Sequence, residues 1–162
     1  MNYGNILSVS EPAYGFAPAE INVKFLNKYA QLPTRGSEEA AGYDLHAAIP
    51  EEVVIAPHTT EKVGTGLSFE LPKGTFGAIF ARSGLATKMG LRPANCVGVC
   101  DSDYRGEYIV AIHNDSTEER IIAPGERIAQ LILMPYIPMT FNKVEELSET
   151  ERGAGGFGST GK

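Results

Sequence analysis

The chain has 162 residues, 43% hydrophobic and 21% charged, with a formal net charge of −6; these values fit one soluble globular domain with a real core. The acidic balance disfavours a nucleic-acid polymer as partner, because a phosphate backbone selects basic surfaces. No apolar run approaches the ~20 residues of a membrane-spanning helix, and the start Met1-Asn-Tyr-Gly-Asn-Ile lacks the basic and apolar regions of a signal peptide.

Residues 1–21 read as an irregular leader, since Gly4, Pro12, Gly15 and Pro18 interrupt any periodicity. From Asn22 onward the pattern is short strands and turns. Residues 61–71 and 75–82 flank the turn Pro72-Lys73-Gly74. Between them and the next strand lies one short helical stretch, 84–88, with Ser83 placed to cap it. Residues 107–114 alternate Tyr108/Val110/Ile112 with Ile109/Ala111/His113, the period of 2 expected of a strand. Residues 119–122 and 127–134 flank Ala123-Pro124-Gly125-Glu126. Eighteen glycines and ten prolines deny any long helix. The fold class is therefore all-β: a barrel, jelly roll or sandwich. The runs 96–100 and 128–134 are nearly continuous in apolar residues, as for strands buried on both faces. An oligomer whose subunits share a core would bury them.

Cys96 and Cys100 are the only cysteines; with no second pair they read as reduced thiols in a core or interface, suited to a cytoplasmic location. His46, His58 and His113 form no metal-binding spacing and read as structural or exposed.

Five segments carry chemistry. In 38–48, Asp44 sits among small apolar residues, where a carboxylate needs an arginine, a backbone N–H or a water of hydrated magnesium as partner. In 81–90, Arg82, Ser83 and Gly84 stand at the entrance of the short helix, where unpaired N–H groups attract anions. Arg82 adds a bidentate phosphate donor. In 95–108, the turn Asp101-Ser-Asp-Tyr104-Arg-Gly106 joins two apolar strands and predicts a hairpin. Its acids suit either backbone capping or a water and a sugar hydroxyl. In 126–132, Gln130 places an amide inside an apolar strand, to be hydrogen-bonded by the fold or by a ligand. Finally, 152–162 reads Arg-Gly-Ala-Gly-Gly-Phe-Gly-Ser-Thr-Gly-Lys. Its glycines allow close backbone approach to a ligand, Arg152, Ser159 and Thr160 suit phosphate oxygens, and Phe157 suits a nucleobase. We read a mobile arm that orders over a nucleoside polyphosphate. Residues 156–162 mimic the first seven positions of a P-loop, but that motif needs a following Ser/Thr and an opening helix.

In type, order and spacing, the segments 40–48, 81–90, 95–107, 126–132 and 152–162 resemble the five motifs of the homotrimeric dUTP diphosphatases (dUTPases). The similarity extends over about residues 22–162. It implies a distorted jelly-roll subunit in a homotrimer, residues 22–151 forming the β domain and 152–162 an arm that closes over a neighbouring site. The implied reaction is dUTP + H₂O → dUMP + diphosphate, with Mg²⁺ carried by the triphosphate. Implied roles follow at matching positions. Asp101 activates the attacking water, and Asp44 contacts the magnesium through water. Arg82, Ser83, Gly84 and Gln130 hold the phosphate chain. Asn95 with the backbone near Gly98 and Ile109 reads uracil, and Tyr104 packs beneath the deoxyribose. Phe157 stacks on uracil, while Arg152, Gly158, Ser159 and Thr160 clasp the γ-phosphate. One departure is Cys100, where the family usually has Ile or Val. Two alternatives are a dCTP deaminase of the same fold and a catalytically silent nucleotide-binding regulator. The strand 108–113 lacks the acid a deaminase carries there, and a pure binder has no need of the water-activating Asp101.

Overall fold

The computed structural model describes residues 18–156. Twelve strands and one short helical turn make up these residues, and every strand pairing is antiparallel. The largest sheet has five strands in the order β2 (Thr34–Arg35), β3 (Tyr43–His46), β12 (Arg127–Pro135), β7 (Thr75–Phe80) and β9 (Val97–Asp101). A three-stranded sheet orders β5 (Thr60–Gly64), β10 (Ile109–Asn114) and β8 (Leu91–Pro93). Two ribbons complete it: β1 (Asn22–Phe25) with β6 (Leu67–Glu70), and β11 (Arg120–Ile122) with β4 (Val53–Ile55). The sheets face one another without closing into a barrel, a jelly-roll-like arrangement.

Inward residues of both sheets fill one core, among them Leu45, Val63, Leu67, Phe69, Ile79, Tyr108, Ile112 and Ile128. A buried polar post joins its edge. The Asn114 amide donates to the carbonyls of Ile55 (2.9 Å) and Glu118 (2.8 Å), and its oxygen accepts from Ser116 N–H (2.9 Å) and Oγ (2.7 Å).

Two expectations are corrected by the structure. The run 61–71 is not one strand: Gly66, at φ 65°, turns the chain between β5 and β6, a conformation glycine adopts without penalty. The short helix is a π-helical turn over Leu85–Met89, with Gly84 at its N-cap and no side-chain cap. The Ser83 hydroxyl does not cap it; instead the Ser83 carbonyl accepts from Thr87 Oγ1 at 2.7 Å. In the single chain the runs 96–100 and 128–134 leave apolar side chains uncovered, the faces that the expected association would bury. Val99 is 64% exposed, and Val97, Leu133 and Met134 are exposed as well. Cys96 is exposed and Cys100 half-buried, both as free thiols.

Candidate active site

The fold assembles two polar clusters on opposite flanks of β7. On the β12 flank, antiparallel register sets Gln130 between Asp44 of β3 and Phe80 of β7. Asp44 is engaged by two guanidinium groups: Arg82 Nε donates to Oδ1 at 2.8 Å and Arg127 Nη1 to Oδ2 at 3.2 Å. Arg82 reaches in from the chain just after β7, and Ser83 and Gly84 follow it on the exposed approach to the helical turn. Gln130 Nε2 donates to the Ala81 carbonyl at 2.9 Å, so the fold satisfies its amide N–H and orients the group. His46, beside Asp44, titrates below its ordinary value, chiefly because burial disfavours the imidazolium, with Asp44 opposing and Arg127 and Arg82 assisting.

Arg127 is a site residue that sequence reasoning missed. In a regular strand, residues 127 and 130 point to opposite faces. A bulge between Arg127 and Ala129 shifts the register, and so both Arg127 and Gln130 serve the Asp44 side. The bulge was the only signal, and a sequence does not display it.

On the other flank, β9 pairs with β7 while β10 pairs with β5 and β8. The expected hairpin therefore has no ladder between its arms. The strands splay, and the gap is a cleft of about 270 Å³ lined by Asn95, Gly98, Asp101, Tyr104, Tyr108 and Ile109, among others. Five of those six are residues expected from the sequence; Tyr108, like the neighbouring Glu107, was not. Asp101 is exposed at the end of β9, its carbonyl accepting from Tyr104 N–H at 3.1 Å to close the turn. Glu107 Oε1 accepts from Gly66 N–H at 2.8 Å, tying the base of the cleft to the β5–β6 bend.

An aromatic row backs this cleft. Tyr108, 1% exposed, lies 4.5 Å from Phe69 and 6.0 Å from Tyr104, centroid to centroid. Its hydroxyl makes no well-formed hydrogen bond among the described residues; the Cys100 thiol is its nearest polar partner. Burial raises the Tyr108 hydroxyl far above the ordinary tyrosine range, and burial likewise raises the Cys100 thiol. Both groups are therefore neutral at physiological pH.

The two clusters do not meet within one chain. Asp101 stands opposite Phe76 on β7, whereas Gln130 stands opposite Phe80; four residues of strand separate the two positions by roughly 13 Å. Of the arm, Arg152 to Gly156 are described: Arg152 Nε donates to the Gly155 carbonyl at 2.9 Å in a local turn. Phe157, Gly158, Ser159 and Thr160 lie outside the described residues. Among the described residues no group of three or more His, Cys, Asp or Glu side chains converges as a metal cage. No helix among them is long and apolar enough to cross a membrane.

A jelly-roll-like β fold with a carboxylate–guanidinium cluster and a tyrosine-backed acidic cleft suits the class of enzymes that handle a phosphorylated ligand. Within that class the chain belongs to the dUTPase family, whose model matches residues 28–161. It is 48% identical over 136 residues to the deoxyuridine 5′-triphosphate nucleotidohydrolase of Desulfitobacterium hafniense, a match covering 83% of this chain and 90% of that protein. The enzyme of that name from Yarrowia lipolytica is 48% identical over 143 residues, covering 87% and 88% of the two chains. Among solved structures, the Staphylococcus bacteriophage 80alpha dUTPase with dUPNHPP superposes with a TM-score of 0.77 at 31% identity, covering 90% of this chain and 100% of that one.

Proposed function

We propose that this chain hydrolyses dUTP to dUMP and diphosphate at a site completed by more than one copy of itself. The observation carrying the activity is the extended match to nucleotidohydrolases named for dUTP. The chain also retains a carboxylate and phosphate donors at every matching position described.

Asp101 acts as the base: its exposed carboxylate orients a water toward the α-phosphorus and takes up its proton. The bond from the α-phosphorus to the bridging oxygen breaks, and diphosphate leaves with that oxygen. Arg82, Ser83, Gly84 and Gln130 bind the phosphate chain and neutralise the charge that develops on it. Asp44 contributes differently. It is already paired to two arginines, so it suits the water shell of a Mg²⁺ brought by the triphosphate, not a resident metal. When bound, that cation supplies charge neutralisation on the phosphates.

The cleft between β9 and β10 receives the base. Backbone groups bared by the missing ladder near Gly98 and Ile109, with Asn95, read the edge of uracil. Cytosine would leave such groups unpaired, at a cost of about 1–3 kcal/mol each. Tyr104 walls the deoxyribose against a 2′-hydroxyl. From the arm, Phe157 covers the base, and Arg152, Gly158, Ser159 and Thr160 take the γ-phosphate.

The ~13 Å between Asp101 and Gln130 along β7 supports a site built from different copies, and the exposed apolar residues of β9 and β12 support their association. A homotrimer with the arm closing over a neighbour meets both demands. The free thiols suit a reducing cytoplasm.

The test is product analysis after incubation with dUTP, dCTP, dTTP or UTP in Mg²⁺. dUMP and diphosphate from dUTP alone is the expected outcome. Intact dUTP would end this reading, and dUTP formed from dCTP would assign a deaminase instead.

A further inference from the structure

The proposed sugar wall is itself loosely held. Tyr104 is 46% exposed and sits on a turn, and its side chain makes one hydrogen bond, the hydroxyl donating to the Glu107 carbonyl at 3.1 Å. A wall that tells hydrogen from hydroxyl at one sugar carbon must be fixed to a fraction of an ångström. An exposed tyrosine with two free side-chain torsions does not supply that by itself.

Tyr108 supplies what Tyr104 lacks. Its main chain is clamped by the β5–β6 bend: its N–H donates to the Leu67 carbonyl at 2.8 Å, and its carbonyl accepts from Thr65 N–H at 3.2 Å and Thr65 Oγ1 at 2.7 Å. Its ring is fully buried against Phe69, 4.5 Å away, with Cys100 beyond the hydroxyl. The side toward the cleft carries Tyr104, tilted by 35° at 6.0 Å. The exposed ring therefore rests on one whose position is set by the core.

We infer that Tyr108 is a positioning residue which, through this aromatic contact, fixes the Tyr104 ring and thereby sets the preference for deoxyribose over ribose. The inference rests on the reading of Tyr104 as the sugar wall. Tyr108 makes no contact with the reacting atoms and is not catalytic; its effect is on which sugar fits. The ring and not the hydroxyl does this, since the contact with Tyr104 is ring to ring.

The experiment compares full-length wild type, Tyr104→Ala, Tyr108→Leu and Tyr108→Phe, measuring kcat and KM with dUTP and with UTP in Mg²⁺. Tyr108→Leu should lower the dUTP/UTP ratio of kcat/KM about tenfold, the value of one aromatic pair. The change should show in kcat/KM with UTP more than in kcat with dUTP. Tyr108→Phe should restore the ratio. A wild-type ratio in Tyr108→Leu alongside a collapsed ratio in Tyr104→Ala overturns the inference and leaves the wall intact. An unchanged ratio in Tyr104→Ala overturns the wall, and the inference with it. Equal loss in Tyr108→Phe and Tyr108→Leu would assign the effect to the hydroxyl and overturn the role of the ring. If Tyr108→Leu does not fold, Phe69→Leu removes the support behind Tyr108. It should shift the ratio in the same direction, and an unmoved ratio there is equally fatal.

Discussion

Gly106→Ala separates the geometry of the site from the stability of the fold. A methyl group at position 106 would lie 2.5 Å from Cζ and 2.9 Å from Cε2 of Tyr104, and would also meet the tyrosine oxygen. Ordinary contact begins near 3.4 Å, so the ring must retreat by about 0.9 Å and leave its bond to the Glu107 carbonyl. The three nearest atoms all belong to this one side chain, and φ at this glycine is not in the left-handed region. The loss to stability is one exposed hydrogen bond, about 1 kcal/mol, and the stiffer unfolded chain returns roughly 0.4–1 kcal/mol of it. The melting temperature should therefore move by only a few degrees. Catalysis should suffer far more, because a displacement near 1 Å at a positioning surface costs up to ~10²-fold in rate. Steady-state kinetics with dUTP and UTP, beside a thermal melt, read both quantities. A variant with wild-type kcat/KM and wild-type sugar preference would show that Tyr104 is not held where the reaction needs it.

Other consequences reach the chemistry, the core and the pH response. Asp101→Asn removes the base but keeps the shape of the turn, so kcat should fall by roughly 10²–10⁴ while nucleotide binding, measured calorimetrically, persists; undiminished turnover would strip Asp101 of its role. Asn114→Ala deletes four hydrogen bonds made by a fully buried side chain and takes the amide donor from the Ile55 carbonyl. It should cost roughly 3 kcal/mol in denaturant unfolding, and a loss below 1 kcal/mol would contradict the post at that edge. His46 titrates below its ordinary value in the fold, so the unfolded chain takes up its proton first as pH falls. The contribution is constant above about pH 6.5 and erodes below it. Relative to His46→Gln, wild-type stability should therefore decline on acidification through that range, and parallel curves would exclude His46 as a source.

The sequence displayed what depends on spacing and concealed what depends on register. Alternation at 107–114 and the turn before the apolar run 127–134 located β10 and β12 to within two residues, and the resemblance pointed to Asp44, Arg82, Asp101 and Gln130. Arg127 escaped because a bulge overturned the parity that a strand pattern assumes. The break at Gly66 escaped because its cause is tertiary: the bend is held by Glu107 and Tyr108, about forty residues away. Residues 101–106 read locally as a hairpin turn, and a turn does form. Whether its flanking strands pair with each other or part to different sheets is decided by β7 and β5 competing for them. Tyr108 read as sharing one strand face with Val110 and Ile112, and that face is the buried one. Its second contact, with an exposed tyrosine four residues earlier, emerges only when the turn is folded.

The central claim is that Asp101 of one copy and Arg82 of another serve the same substrate. Asp101→Asn and Arg82→Ala, each nearly inactive alone, should be unfolded together and refolded as a mixture, then assayed for dUMP release. Shared sites predict recovery to roughly a quarter of wild-type activity, as each site draws its two parts from copies at random. A mixture no more active than its separate components would place both residues in one chain's site and contradict the account.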